Sequence, residues 1–372
     1  MATQFVKYTP NVETDDPQFD KNLQIAMRDS GRFVADSVTA EGTGQAVRSA
    51  HAKGYALVRA EVDILDQLPA EYAQGIYATP GRHDALIRFS NGSGHLGTDA
   101  RLGGVTGLAL KLFDVDGPTV LEDEPDARTF DYANINAPIF FVNTVEHYTF
   151  VQELVAASPF YLAKGKAGVH QFLHDFVTGK GTLPPEEWAW EELRAFLSVS
   201  QRPLVNLLLS TYWTMGSVRH GDYIAKVRMA PVPAFAEKVV QRSVDPTSAQ
   251  EVFRPALVAE LRERPYEFDI QVQLCVDLER MPVEDVTAEW PEDLSSPVTV
   301  AKLRMPQQDI SGEDNLRKLD ALSFNPWRVT ADHRPLGNIM RVRREVYRNS
   351  SILRHKLNNQ ERKEPRSADE VL

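Results

Sequence analysis

Residues 85–97, ALIRFSNGSGHLG, contain the pattern G-x-G-x-x-G directly after an apolar run that is typical of a β-strand. In dinucleotide-binding folds, the helix that follows these glycines holds a pyrophosphate at its N-terminus. Here the chain continues as TDARLGGVTGLALKLF, and each of Gly103, Gly104 and Gly107 would cost a helix about 1 kcal/mol. The segment therefore predicts a strand followed by a glycine-rich turn, and not a nucleotide-binding loop.

Alternating apolar and polar residues recur on both sides of this segment and predict further strands. The clearest is 267–278, EFDIQVQLCVDL, in which every second residue from Phe268 to Leu278 is apolar. Other short strands are predicted near 59–64, 107–113, 137–142, 222–229 and 298–305. Residues 145–200 and 338–357 instead follow helical spacing. Because strands are grouped with strands and helices are inserted between the groups, the pattern indicates an α+β fold built on an antiparallel sheet or barrel.

The predicted organisation is one large domain between two polar ends. Residues 1–18 are turn-rich and are expected to form an N-terminal extended arm, and residues 19–358 a single domain. Residues 359–372 are predicted to be a disordered tail, because they contain few apolar side chains that could pack on a core.

The charge and the cysteine count exclude several classes of protein. The net charge is −11, with 52 acidic and 41 basic residues, so nucleic acid and anionic membranes are not expected partners. The single cysteine, Cys275, excludes an intramolecular disulfide and any site with several cysteine ligands. The N-terminal segment lacks an apolar signal-peptide core and no segment approaches the length of a membrane span. We therefore expect a cytoplasmic location.

Four short motifs occur in a fixed order along the chain. The ordered set is a more specific signal of relationship than any single motif. The motifs are RSAHAKG at 48–54, RFS at 88–90, D-x-x-x-x-N-A-P-I-F-F at 131–141 and R-x-x-x-Y at 343–347. Together they resemble the haem catalase superfamily, and in particular its small catalase-related peroxidases and hydroperoxide-converting enzymes. The resemblance extends over about residues 45–357 and is weak over 145–215. It implies an antiparallel β-barrel of about eight strands with surrounding helices.

The resemblance also implies one haem b per chain, with Tyr347 as the residue that binds the metal. His51 would be the acid–base group on the opposite face of the haem, and Ser90 would orient its ring. Arg343 lies one helical turn before Tyr347, and an adjacent cation favours the phenolate that an iron ligand must be. The family assigns three further arginines to the haem propionates and three aromatic residues to the pocket walls, which here are Arg48, Arg88, Arg354, Phe140, Phe141 and Tyr148.

The sequence departs from the family pattern at one position. The distal asparagine of the family stands three residues before the proline of P-I-F-F, and this chain has Ile135 there. Asn136 lies two residues before Pro138 and Asn134 lies four before it. A one-residue bulge would aim Asn136 at a bound peroxide. We therefore expect Asn136 to be the catalytic partner of His51, with peroxidase chemistry in preference to fast disproportionation of hydrogen peroxide.

The expected function is the haem-dependent reduction of hydrogen peroxide or organic hydroperoxides through a high-valent iron intermediate, with an unidentified reductant as partner. Two alternatives stay open from the sequence. One is isomerisation or cleavage of a fatty-acid hydroperoxide, as in catalase-related allene oxide synthases. The other is a haem-binding module without catalysis. A homo-oligomer is compatible with either.

Overall fold

A computed structural model describes residues 4–243 and 251–372 of the protein. The strands within these ranges are β1 (Gly54–Ile64), β2 (Gly81–Asn91), β3 (Thr106–Leu112), β4 (Phe130–Ile135), β5 (Tyr212–Trp213), β6 (Val218–His220), β7 (Tyr223–Pro231), β8 (Tyr266–Leu274) and β9 (Val298–Met305).

Eight of these strands close into one antiparallel barrel. The order around the ring is β1-β2-β3-β4-β5-β7-β8-β9, and β9 pairs with β1 again. The ring closes between two strands that meet only briefly, where Tyr212 of β5 pairs with Met229 of β7. Strand β6 is not part of the ring and forms a hairpin with β7. This architecture confirms the predicted antiparallel barrel of about eight strands.

The apolar face of each strand fills the barrel interior. In β8 every second residue is fully buried, namely Phe268, Ile270, Val272 and Leu274. They belong to one continuous core that includes alternate residues of the neighbouring strands. The alternation predicted from the sequence is confirmed as far as the end of β8, and Leu278 beyond it is 40% exposed.

The strand predicted at 137–142 is wrong, because β4 ends at Ile135 and the following residues have no regular structure. Pro138 has no amide hydrogen to donate to a neighbouring strand. The amide of Phe140 donates instead to the carbonyl of Val286, at 2.8 Å, in a loop outside the sheet.

Helices surround the barrel, as predicted. Within the described ranges they are α1 (Phe19–Ala40), α2 (Asp99–Leu102), α3 (Val145–Ala156), α4 (Ser158–Leu162), α5 (Gly165–Thr178), α6 (Trp190–Ser200), α7 (Pro233–Ala236), α8 (Phe253–Glu263), α9 (Glu313–Ala321) and α10 (Asn338–Leu357). Helices α1, α3 and α10 pack together around a second apolar cluster, to which Ala26, Val151 and Val342 contribute. Of the helices in the described part of the chain, none has both the length and the apolarity to cross a membrane.

Residues 4–18 run alongside the barrel. The amide of Val6 donates to the carbonyl of Cys275 at 2.8 Å, and the amide of Tyr8 donates to the carbonyl of Asp222 at 2.7 Å. The division of the chain into an arm, one domain and a tail stays a prediction.

Residues 359–372 pack against the barrel, which corrects the expectation of a disordered tail. Ala368 is fully buried in a small apolar cluster on the outside of the sheet. Glu364 forms ion pairs with the fully buried Lys111 and, at 3.2 Å, with the fully buried Arg328. Composition alone could not reveal this order, because it depends on buried cations elsewhere in the chain that need a carboxylate partner.

Two histidines are buried among aromatic residues, His220 on β6 and His333 in the segment before α10. The rings of His220 and His333 have centroids 5.5 Å apart, and both pack against Tyr77. Burial lowers the pKa of His220 to about 4. Burial, with the neighbouring His220, lowers the pKa of His333 well below its usual value. Both imidazoles are therefore neutral near pH 7 in the folded protein.

We expect Glu364→Gln to lower the free energy of unfolding by about 3 kcal/mol, because it leaves two buried cations short of a carboxylate. Asp369→Asn in the same segment is the matched control, since the Asp369 side chain is 76% exposed and pairs with Arg59 at the surface. Its expected effect is below about 1 kcal/mol. Urea unfolding measures both variants, and equal effects would contradict the structural role of Glu364.

We expect the protein to lose stability as the pH falls from about 6.5 to 5, because histidines in the unfolded chain take up protons near pH 6.5 while His220 and His333 do not. The loss is about 2 kcal/mol for each residue at pH 5. Urea unfolding at several pH values measures this loss. The free energy of unfolding should fall less steeply with decreasing pH in His220→Gln than in the wild type. His170→Gln on the exposed side of α5 should keep the wild-type slope.

Candidate active site

A cavity lies between the barrel wall and the helices α3 and α10. Strands β2, β3 and β4 and the loop before β1 form its barrel side. The cavity brings together seven of the residues predicted from the sequence, which are Arg48, His51, Arg88, Ser90, Tyr148, Tyr347 and Arg354.

Small residues form the part of the wall that β3 and β4 contribute. Gly107, Ala109 and Ala133 border the cavity. They share one face of the sheet, because Ala133 pairs with Ala109 and successive side chains of a strand alternate between faces. Arg88 and Ser90 of β2 lie on this same face, opposite Ala109 and Gly107. The intervening residues of these strands fill the barrel core.

His51 lies in the loop that leads into β1, and its ring lies against Gly107 of β3. Its Nδ1 is 3.1 Å from Ser90 Oγ. A Cβ at position 107 would be 2.6 Å from that nitrogen, so only glycine permits this approach. His51 also has a φ of 56°, in the left-handed region that few non-glycine residues adopt. The amide of Ala52 donates to the carbonyl of Ser93 at 2.8 Å and helps to hold the loop in this conformation.

The imidazole of His51 is neutral in its surroundings. Burial, followed by the positive charge of Arg88, lowers the pKa of His51 to about 3. Arg88 Nη2 also donates to the carbonyl of His51 at 2.6 Å, which fixes the loop and the guanidinium relative to each other. A neutral imidazole has a ring nitrogen that can accept a proton, as a general base requires.

Helix α10 presents Arg343 and Tyr347 on one face, one turn apart. Arg343 Nη2 donates to Tyr347 Oη at 3.1 Å and to the carbonyl of Ala133 at 3.0 Å. Arg343 is only 7% exposed. Its guanidinium therefore ties the phenol to the barrel wall and places a positive charge beside the phenol oxygen at the edge of the cavity.

Three arginines border the cavity, namely Arg88 and Arg354, which are buried, and Arg48, which is partly buried. Arg48 pairs with Asp320 at 3.3 Å, and within residues 4–243 and 251–372 no other carboxylate pairs with any of the three. The Nε atoms of Arg88 and Arg354 are buried and have no hydrogen-bond partner among the residues that the structure describes. Burial, and then the charge of Arg48, lowers the pKa of both Arg88 and Arg354. The cluster thus carries more positive charge than the nearby carboxylates balance.

These residues fit the haem that the sequence predicts. Guanidinium groups bind carboxylates through parallel N–H donors, and the arginine cluster has buried donors without an acceptor among the described residues. The residues that β3 contributes to the cavity wall, Gly107 and Ala109, are small, as is Ala133 of β4. Tyr347 supplies an oxygen that can serve as a metal ligand. The assignment of these residues to haem binding stays a proposal.

Asn136 does not border the cavity, which corrects its predicted role. Its Oδ1 accepts from the amide of Thr106 at 2.9 Å and its Nδ2 donates to the carbonyl of Gly104 at 2.8 Å. The bulge that would redirect it is missing, since β4 pairs with β3 in regular register. Asn134 borders the cavity instead, with its Nδ2 3.4 Å from Met229 Sδ in the barrel interior.

Phe140 and Phe141 also lie behind the cavity wall and not on its surface. Their rings have centroids 4.3 Å apart, and that of Phe140 is 6.2 Å from Tyr148, which borders the cavity. Sequence analysis missed several wall residues, among them Gln152, Phe324, Val346, Ser350 and Ser351. Helical spacing could have identified Gln152, because it lies one turn after Tyr148 on the same face of α3.

Comparisons with known proteins find one similar curated sequence and several solved structures with a similar fold. No protein-family model matches the chain. The chain is 27% identical over 276 residues to a catalase-related peroxidase of Mycolicibacterium paratuberculosis, a match that covers 73% of this chain and 77% of the relative. Catalase A from Saccharomyces cerevisiae has a TM-score of 0.62 at 14% identity over 96% of this chain and 70% of its own. A fungal catalase has a TM-score of 0.57 at 13% identity, over 95% and 66%.

The structural neighbours establish that the fold is that of the catalases. All four motifs contribute residues that border the cavity, although the third does so through Ala133 and Asn134 and not through Asn136, Phe140 or Phe141. The chain thus has the fold of the catalases and is similar in sequence to a catalase-related peroxidase.

We expect Gly107→Ala to displace the His51 ring, since the new Cβ would lie 2.6 Å from His51 Nδ1 and 2.9 Å from Ser90 Oγ. The overpacking should destabilise the fold by about 1–3 kcal/mol. Nitrogen NMR of histidine-labelled protein should show a shifted His51 imidazole. Gly81→Ala at the start of β2 is the control, because its Cβ would meet nothing within 4 Å. An unshifted His51 signal in Gly107→Ala would contradict the contact.

Proposed function

We propose that this protein is a haem-dependent peroxidase that binds one haem b in the cavity and reduces hydrogen peroxide or an organic hydroperoxide with electrons from a separate reductant. The observation that carries the proposal is that His51, Ser90 and Tyr347 border one cavity, with Arg343 bonded to the tyrosine oxygen. Arg88 and Arg354 border the same cavity and have no carboxylate partner among the described residues. The curated relative named catalase-related peroxidase supports the same class of chemistry.

Tyr347 would hold the haem iron through its phenolate oxygen. Arg343 Nη2, at 3.1 Å from that oxygen, balances the negative charge and keeps the ring in place through its second bond to the barrel wall. Arg48, Arg88 and Arg354 would hold the two propionates. When bound, the haem supplies the redox chemistry of O–O bond cleavage.

His51 would move the proton that this cleavage requires. For Nε2 to accept a proton, Nδ1 must carry the ring hydrogen and donate it to Ser90 Oγ, which lies 3.1 Å away. Nε2 then takes a proton from one peroxide oxygen and delivers it to the oxygen that leaves. Water or an alcohol departs, and not hydroxide or an alkoxide. The low pKa of His51 keeps Nε2 free to accept the proton beforehand.

The first test concerns the iron ligand. We expect the purified wild-type protein to take up haem and to show the absorption spectrum of a high-spin ferric tyrosinate, and we expect Tyr347→Phe to lose that spectrum. Tyr148→Phe is the matched control, because it makes the same change in the same cavity without touching the ligand oxygen. Retention of the wild-type spectrum by Tyr347→Phe would refute this ligand assignment.

The second test concerns the proton transfer. His51→Gln should keep the tyrosinate spectrum and slow the reaction with peroxide by about 10²–10⁴-fold, since it removes the acid–base group and not the cofactor site. Stopped-flow absorbance measures the rate. An unchanged rate would indicate that the protein binds haem without using His51. Product analysis with a fatty-acid hydroperoxide separates reduction to the alcohol from isomerisation.

A further inference from the structure

A second recess, which we call the arm groove, lies between the N-terminal segment and the helices α1 and α10. The N-terminal segment contributes Pro10 and Glu13 to its wall, α1 contributes Phe19, and α10 contributes Arg341. Glu13 Oε1 accepts from the amide of Gly337 at 3.0 Å, which holds the segment against the start of α10. Of the described residues that border the arm groove, none borders the cavity, so the two recesses are distinct.

One arginine of the arm groove has a guanidinium group that no carboxylate neutralises. Arg334 pairs with Glu13. Arg344 pairs with Glu345 at 3.3 Å. Within residues 4–243 and 251–372, no carboxylate pairs with Arg341, although its side chain is partly buried. The parallel N–H donors of Arg341 are therefore suited to the carboxylate of a ligand.

Aromatic rings lie beside the guanidinium groups of the arm groove. Arg341 Cζ lies 4.4 Å from the centroid of the Phe19 ring, and Arg344 Cζ lies 5.7 Å from that of Trp327. Trp327 borders the groove and is only 5% exposed. Aromatic side chains favour contact with a flat ring in offset or edge-on arrangements. Together with Arg341, they fit a ligand that combines an aromatic ring with a carboxylate.

Trp327 also connects the arm groove to the predicted metal ligand. Its Nε1 donates to the carbonyl of Met340 at 2.6 Å. Met340 Sδ lies 3.4 Å from Arg343 Nη1, and Arg343 Nη2 donates to Tyr347 Oη at 3.1 Å. Electrons move faster through bonded and packed atoms than through open solvent. This unbroken series of contacts is therefore a route for electrons from the groove to Tyr347.

We propose that the arm groove binds the electron donor of the peroxidase, and that this donor is a phenol with a carboxylate group. The inference rests on the proposed function. Arg341 binds the carboxylate, and the phenol ring packs against Phe19 and Trp327. Two donor molecules in turn each lose one electron and one proton and become phenoxyl radicals. The peroxide takes up both electrons and both protons, its O–O bond breaks, and the products are water and either a second water or an alcohol.

Two phenols of similar size and opposite charge test the proposed donor class. In the haem-loaded full-length protein at saturating peroxide, we expect kcat/KM for 4-hydroxyphenylacetate to exceed that for tyramine by about tenfold. Contact with the general protein surface would give the opposite preference, because a net charge of −11 attracts cations. A wild-type protein that prefers tyramine overturns the proposal.

Substitutions in the arm groove should move this preference in opposite directions. Arg341→Gln should lower the ratio of the two kcat/KM values by about tenfold, mainly through a higher KM for 4-hydroxyphenylacetate. Asp15→Asn should raise the ratio by about two- to fivefold, because it removes an exposed carboxylate from the groove. Arg32→Gln is the matched control, since the Arg32 side chain is 79% exposed and pairs with Asp36 on α1. Equal effects of Arg341→Gln and Arg32→Gln would overturn the role of Arg341.

Phenylacetate provides a readout that does not depend on turnover, because it has the carboxylate and lacks the phenol hydroxyl. It should bind to the haem-loaded wild type without a shift of the haem absorption spectrum, as saturation-transfer NMR and absorbance titration measure. Arg341→Gln should lose this binding. In steady-state kinetics, phenylacetate should compete with 4-hydroxyphenylacetate and not with the peroxide. A shifted haem spectrum or competition with the peroxide would assign the donor to the cavity and overturn the proposal.

The outcomes separate this inference from the function on which it rests. A wild-type protein that takes up haem and does not react with peroxide overturns the proposed function and this inference together. A wild-type protein that reacts with peroxide and shows no preference between the two phenols overturns the donor site alone. The wild-type preference and the phenylacetate measurements carry the test if Arg341→Gln does not fold.

Discussion

Successive side chains of β2, β3 and β4 point to opposite faces of the sheet. The rest of the structure depends on this alternation. The same three strands supply the barrel core with one face and the cavity wall with the other: Phe89 and Leu108 point inward, and Ser90 and Gly107 point outward. A shift of register by one residue would exchange the two faces. Closure of the barrel prevents such a shift, because every strand of the ring is paired on both sides.

Two clusters of buried cations in this chain differ in how their charge is balanced. Lys111 and Arg328 are paired with carboxylates of the protein itself, including Asp131 and Glu364. Arg88 and Arg354 border the cavity and have no carboxylate partner among the described residues. A buried charge without a partner lowers the free energy of unfolding. Proteins keep such charges at sites where a ligand supplies the opposite charge. The contrast therefore marks the cavity as a binding site independently of any motif.

The asparagine of the predicted site shows where counting along the sequence fails. From the sequence, the prediction that Asn136 and not Asn134 faces the peroxide depends on an assumed bulge. The regular pairing of β4 with β3 shows no such bulge. Asn136 then secures the main chain at the start of β3, and Ile135 pairs with Gly107 of that strand. The asparagine that the motif D-x-x-x-x-N-A-P-I-F-F predicts at the cavity is consequently held away from it.

The sequence by itself determined the antiparallel barrel with its surrounding helices, and seven of the residues around the cavity, because strand alternation and short motifs are local patterns. His51, Ser90, Arg343 and Tyr347 were all named from such patterns. The tertiary structure alone decided that Asn136, Phe140 and Phe141 stand behind the wall and that residues 359–372 are ordered. These outcomes depend on which partners lie across the sheet or far along the chain, and local spacing carries no information about such long-range contacts.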